Sequence, residues 1–561
     1  MNNPLQAPAH TSTEMASDPG RRALMGAGLT GAALWLARSA NAQAMSGMDT
    51  GAMHGMHHAP AAPKPASATR SGAFKRPLAI PPELRGELQA DGVRAYALRM
   101  QAGQSQLVAS LNTPTWGYNG SFLGPALRIP RGRPVALTVA NGLDQTSTTH
   151  WHGAHVPGEM DGGPHAPTAP GASQRSAFTL DQPAATLWYH PHPDMRTGAH
   201  VWAGMAGLLL VDDGLDARLG LPHAWGVDDI PLILQDRRLD ARGRLVYMSE
   251  GMSDMMGMKG DRFLVNGREQ PFAALPAQRV RLRLLNASNA RVYNVERSDQ
   301  RPFHMIASDA GLLPRPVEMR ALLLAPAERA EIVLDLRGMQ GKTLVLRSNS
   351  APVVPDLGSS MGDSDAFDHS GFDLLQIRVT APNARPGHLP AQLAAVDTLK
   401  PTRPQPRPFS LQGMSGSMNG MGGMSGMSSM GGATAPTGPG GMSLGTGGER
   451  MFSINHQYMD MAVINQQIRR GDTEIWEVSN DAEMAHPFHV HGTSFQILAR
   501  NGAPPPEHER GWKDVVLLRR NETVRLIMRF GQPAGVHHPY MYHCHILEHE
   551  DNGMMGQFTV A

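Results

Sequence analysis

From about Ala73 onward the chain alternates short aliphatic or β-branched runs with Gly, Pro and Asn. Val135-Ala-Leu-Thr-Val-Ala-Asn-Gly and Gly204-Met-Ala-Gly-Leu-Leu-Leu-Val set the pattern in an early block. Phe263-Leu-Val-Asn-Gly, Val280-Arg-Leu-Arg-Leu-Leu-Asn and Glu331-Ile-Val-Leu-Asp-Leu repeat it in a second block, and Thr473-Glu-Ile-Trp-Glu-Val-Ser-Asn and Thr523-Val-Arg-Leu-Ile-Met in a third. Runs of this length, alternating or continuous and closed by turn residues, predict strands rather than helices. Three blocks on one theme predict an all-β protein of three similar sandwich units. Their expected bounds are 73–215, 221–382 and 405–561, with a linker at 383–404.

Three segments break the pattern. Residues 413–448 are mostly Gly, Ser and Met, with Met414, Met418, Met421, Met424, Met427, Met430 and Met442. So much glycine cannot sustain a helix, and the segment buries too little to fold alone, so it reads as an insert in the third unit. A smaller cluster, Met248, Met252, Met255, Met256 and Met258, reads as a surface loop. At the N-terminus, Arg21-Arg22 precedes a mild apolar run from Ala23 to Leu36 and then Ala40-Asn41-Ala42-Gln43-Ala44. That order predicts a signal peptide over 1–44, of the twin-arginine type, and therefore a periplasmic protein. The Met/His- and Pro/Ala-rich residues 45–72 are expected to be a disordered tail. No stretch predicts a transmembrane helix.

Composition narrows the class. Lys plus Arg number 50 against 49 Asp plus Glu, so the net charge of +1 gives no pull towards nucleic acid. A monomer is expected. The single cysteine excludes an internal disulfide and leaves a thiol free for chemistry.

That thiol, Cys544, sits between His543 and His545, with His549 and Met554 following. A thiolate, imidazole and a weak thioether are the donors of a type 1 copper site, which needs one further histidine. On a strand Cys544 would face one metal while His543 and His545 face away, towards a second site. Four His-X-His pairs occur: His150/His152, His190/His192, His489/His491 and His543/His545. About one would arise by chance, so one pair is weak and four are not. Eight imidazoles suffice for three copper ions. His486, out of phase with His489 and His491, is the candidate second imidazole for Cys544.

His150-Trp-His152-Gly, His190-Pro-His192, His486-Pro-Phe-His489-Val-His491-Gly and His543-Cys544-His545-Ile-Leu-Glu-His549-Glu-Asp-Asn-Gly-Met554 resemble the four copper motifs of the multicopper oxidases. The similarity is greatest to bacterial periplasmic cuprous oxidases of copper efflux. It implies three cupredoxin-like Greek-key β-sandwich domains and four copper ions. Type 1 copper would take His486, Cys544, His549 and Met554, and type 2 copper His150 and His489. The type 3 pair would take His152, His190 and His545 on one ion and His192, His491 and His543 on the other. The cluster would lie between the first and third domains, with the second as spacer.

The resemblance further implies dioxygen as acceptor and Asp161 and Glu550 as proton-supplying carboxylates. Cu(I) is the expected electron donor, in copper tolerance. Met484 is a candidate ligand for substrate Cu(I), with Asp481 or Glu483 as its acid, and the insert is expected to collect Cu(I) and to cover His549. A laccase-like phenol oxidase uses the same coppers with an open groove at His549. A non-enzymatic copper store explains the methionines but not the paired histidines.

Overall fold

The computed structural model describes residues 74–247, 256–357, 367–383, 386–413, 438–439, 442 and 452–561. The expected signal peptide, the Met/His tail, most of the insert and most of the Met248–Met258 cluster lie outside them. Among the described residues, no helix is long and apolar enough to cross a membrane.

The fold is all-β, in three cupredoxin-like sandwiches. In the first, Glu87–Leu88, Arg94–Ser105, Pro134–Asn141 and Ser173–Thr179 form one sheet. Glu83–Leu84, Ala126–Pro130, Gly207–Asp212 and Ala185–Tyr189 form the facing one. Arg94–Ser105 lies parallel to Pro134–Asn141 although they are not consecutive, and the chain between them crosses to the facing sheet through Ala126–Pro130. The second sandwich packs a seven-stranded sheet on a five-stranded one. The third pairs two five-stranded sheets, one of which runs Gln466–Ile468, Met555–Val560, Tyr540–Cys544, His486–Val490, Val515–Leu518.

Each sandwich has its own core. Leu98, Leu137 and Leu209 fill the first, Leu282, Ile332 and Phe372 the second, and Trp476, Phe488, Leu526 and Phe558 the third. The first described residues do not join the first core. Phe74 N donates to Gln270 O (2.8 Å) and Leu78 N to Phe272 O (2.6 Å), while Leu78 and Ile80 pack on the second core. A further buried cluster gathers Trp188 and Leu208 from the first sandwich, Ile233 and Leu285 from the second and Val515 from the third. This shared core draws the three units together at the strand ends that carry the histidines.

Candidate metal centre

The His-X-His pairs sit at the ends of strands rather than inside them. Tyr540–Cys544 stops before His545, and His486–Val490 stops before His491. His150 and His190 bridge each other in an isolated backbone pair, with N–O distances of 2.8 and 3.2 Å. Leaving the strand frees the second histidine to turn towards a different partner. The two imidazoles of a pair are therefore shared between neighbouring groups, where strict alternation would have kept them together.

Four sets of histidine or cysteine donors each lie within 4.8 Å: His150, His152 and His489; His152, His190 and His545; His192, His491 and His543; and His486, Cys544 and His549; a fifth set joins His150 and His491 to the carboxylate of Asp161. All are buried. In the cysteine set, His486 Nδ1 lies 3.3 Å and His549 Nδ1 3.8 Å from Cys544 Sγ, and the two Nδ1 atoms are 3.4 Å apart. Met554 packs in the same core, and Cys544 N donates to its carbonyl at 3.1 Å.

The remaining hydrogen bonds show which ring nitrogen is left for a metal. His150 Nδ1 donates to Asp161 O (2.9 Å), His190 Nδ1 to Pro191 O (2.8 Å) and His489 Nδ1 to Asp514 O (2.7 Å). Their Nε2 atoms are buried without a partner, as are His192 Nε2 and both ring nitrogens of His545. His152 is reversed: Nε2 meets Asp514 Oδ1 at 3.1 Å and Nδ1 is the unpartnered atom. Buried polar atoms left unpaired are destabilising by about 1–3 kcal/mol each, and a convergent cluster of them fits the donor set of a metal ion. Burial lowers His192 to about 4 and takes His152, His190, His489, His491 and His545 well below the usual imidazole range. These are neutral imidazoles, the form a metal requires. Burial also pushes the Cys544 thiol up, so a metal must displace its proton. The soft cysteine set and the imidazole sets both fit copper.

Asp161 is brought in by a turn at Gly162, whose φ is +77° and whose added Cβ would lie 1.8 Å from Thr149 O. Only glycine fits there. Asp161 Oδ2 accepts from His491 Nδ1 at 2.8 Å and lies 3.3 Å from His150 Nδ1, while Oδ1 has no partner. Glu550 lies between two histidines, 3.3 Å from His192 Nδ1 and 3.1 Å from His543 Nδ1. Burial would raise its carboxyl, but these imidazoles hold it well below the usual range.

The short helix Leu547–Asp551 sends successive side chains to different places. Glu548 accepts from Asn289 Nδ2 (2.7 Å), Met258 N (2.8 Å) and Tyr247 OH (3.0 Å). His549 turns to the cysteine set, Glu550 to the histidines, and Asp551 accepts from Thr197 N and Gly198 N, each at 2.8 Å. Sequence reasoning singled out Glu550 and passed over Glu548 and Asp551, which anchor this helix to the second and first sandwiches.

It also missed Asp514. Arg329 grips this carboxylate with two bonds, of 2.7 and 2.5 Å, and both side chains are fully buried. Asp514 in turn holds His152 through its side chain and His489 through its carbonyl. The second sandwich, expected only as a spacer, thus supplies the cation that fixes two site histidines. Asp514→Ala removes the carboxylate that directly pairs with the buried Arg329 guanidinium, which is expected to destabilise the protein by ~3–5 kcal/mol. Urea unfolding of the variant beside the parent measures that loss.

The expected acids of the Cu(I) site go elsewhere. Exposed Asp481 accepts from Ser410 Oγ, and Glu483 pairs with Arg520 at 2.6 Å. Half-buried Met484 instead lines a cavity of about 50 Å³ with Met256, Lys259, Asp368 and the neighbours of His486, Ala485 and Pro487. His549 is closed off: Phe452 stacks on it at 3.8 Å between ring centroids and 20° between planes.

Three sandwiches holding one cysteine set and three imidazole sets define a protein built to bind several copper ions. Two family models, each described as multicopper oxidase, match residues 99–216 and 434–561 respectively. Multicopper oxidase mco of Staphylococcus haemolyticus is 32% identical over 491 residues, 87% of this chain and 93% of the relative. Cell division protein FtsP of Escherichia coli K12 is 34% identical over 486 residues, again 87% and 93%. The solved structure of a bacterial laccase-like multi-copper oxidase, CueO from Ochrobactrum sp., superposes with a TM-score of 0.72 at 35% identity, covering 86% of this chain and 100% of that one. The chain belongs to the multicopper oxidase family and is an oxidoreductase.

Proposed function

We propose that the protein oxidises Cu(I) to Cu(II) and uses the electrons to reduce dioxygen to water, four Cu(I) and four protons per dioxygen, as a copper-tolerance enzyme. In this reading type 1 copper is held by His486, Cys544, His549 and Met554, and type 2 copper by His150 and His489. One type 3 ion is held by His152, His190 and His545, the other by His192, His491 and His543. Copper at these sites supplies one-electron storage and dioxygen reduction. The peptide link from Cys544 to His543 and His545 joins the first site to the others through one residue on either side. Asp161 and Glu550, each touching two site histidines, are the carboxylates of the proton path, Glu550 as an ionised relay. Export through the Arg21-Arg22 signal to the periplasm completes the reading.

The observation that carries Cu(I) as donor is the contrast between the two type 1 histidines. Beside His486, two thioethers, Met256 and Met484, line a cavity of about 50 Å³. A cavity of ~150 Å³ is what holds a benzene ring, so this one suits an ion, and thioethers select Cu(I). At His549, where a phenol would dock, the Phe452 ring already occupies the imidazole face. Lys259 does not oppose a cation there unaided, because Asp368 pairs with it at 2.5 Å.

Met484→Leu keeps volume and apolarity but loses the sulfur. It is expected to lower kcat/KM for Cu(I) about tenfold and leave that for 2,6-dimethoxyphenol unchanged, a difference of ~1.4 kcal/mol confined to one donor. A parent enzyme faster on the phenol, with Met484→Leu altering neither activity, would favour the laccase-like alternative.

A further inference from the structure

The third sandwich holds a second group of sulfur donors that none of these sets uses. Met459, Met541 and Met555 are 6%, 1% and 4% exposed and pack together, and half-buried Met461 packs on them. Their position follows from strand register. Tyr540–Cys544 and Met555–Val560 pair antiparallel, with Met541 opposite Gln557 and His543 opposite Met555. Tyr540, Tyr542 and Cys544 enter the core, so Met541 and His543 share the other face. Residues directly opposite on paired strands have Cβ atoms about 5 Å apart. Met555 and Met541 therefore both adjoin His543, a member of the His192–His491–His543 set.

The loop that supplies Met459 and Met461 is pinned over this face. Met459 N donates to Gly553 O at 2.9 Å. Gln557 Nε2 donates to the carbonyls of Asp460, Met461 and Val463 at 3.1, 3.1 and 2.7 Å, and its Oε1 accepts from His165 Nε2 at 2.7 Å. Asp460 is exposed between the two loop methionines, with Oδ1 accepting from Ala462 N at 2.9 Å. The thioethers thus run from a half-buried one at the surface, beside a carboxylate, to fully buried ones against a histidine of the metal centre.

We propose that Met459, Met461, Met541 and Met555 form a Cu(I)-binding site, separate from the Met484 cavity, through which cuprous copper reaches the His192–His491–His543 set during metal loading. Thioethers are neutral and soft, and a set of three or four selects Cu(I) over Cu(II), Zn(II) and Mg(II). Asp460 at the rim attracts the cation, and no change of oxidation state is involved. Simple packing would use methionine as a gap-filler, and leucine would serve equally well there.

That difference is the test. Full-length, copper-loaded protein, reduced and free of oxygen, is titrated with Cu(I) in competition with the chromophoric chelator bicinchoninate. Met459→Leu/Met461→Leu, both on the loop, is expected to bind one Cu(I) fewer than the parent while its blue band on reoxidation is unchanged. Equal stoichiometry and affinity in parent and variant would overturn the proposal. Met461→Leu alone, at a half-buried position where folding is not at stake, is expected to weaken one Cu(I) about tenfold, the order seen when support for a metal site is removed. An unchanged isotherm for that variant would also overturn it. Neither readout depends on oxidase turnover, so the result stands apart from the identity of the electron donor.

Discussion

Cys544→Ser is expected to abolish both the intense blue absorption and all oxidase turnover, with the fold retained. The Cys544 sulfur is fully buried and faces both His486 Nδ1 and His549 Nδ1. It accepts one further bond, from Ile546 N at 3.4 Å. Serine can accept that same bond, but its hard oxygen does not give the thiolate colour or the soft bond to copper. The backbone pairing of Tyr540–Cys544 with its two neighbouring strands involves no side-chain sulfur, so the sheet should persist. Visible absorption, copper content and thermal unfolding of the variant check the three parts separately. A blue band surviving the substitution would place type 1 copper somewhere other than Cys544.

Asp161→Asn should slow dioxygen reduction by about 10²–10⁴-fold, the range attributed to a positioned general acid. Its carboxylate lies between His491 and His150, and one oxygen has no protein partner. An amide oxygen can still accept from His491 Nδ1, so the histidine stays oriented and its copper stays bound. Bleaching of the blue band by donor under anaerobic conditions should therefore run at the parental rate, while aerobic turnover falls. Equal losses in both measurements, or copper missing from the variant, would make Asp161 a structural residue.

The sequence made some of this architecture legible and hid the rest for identifiable reasons. Strands such as Pro134–Asn141 and Thr473–Asn480 were readable because apolar residues mark the face that enters a core. The site histidines were readable because their spacing survives in one dimension and because few chains repeat His-X-His four times. The neighbour a buried face meets leaves no such trace. Arg329 and Asp514 are 185 residues apart, and nothing near either one announces the ion pair. A weak signal preceded Asp514: Lys513-Asp514 stands directly before the apolar Val515–Leu518, and charges entering a buried strand must be paired. Phe452 over His549 was equally hidden, since a lone aromatic after a glycine-rich insert reads as ordinary core. Alternation also misled at the strand ends, where leaving the strand let paired histidines diverge.

Whether one cysteine set and three imidazole sets act together as a four-copper oxidase is tested most directly by metal analysis combined with electron paramagnetic resonance of the purified, fully loaded protein. Four copper ions per chain are expected from the proposed ligand sets, two giving distinct type 1 and type 2 signals and two silent as a coupled pair. A chain that binds only the blue copper, with the eight paired histidines empty under copper excess, would contradict it.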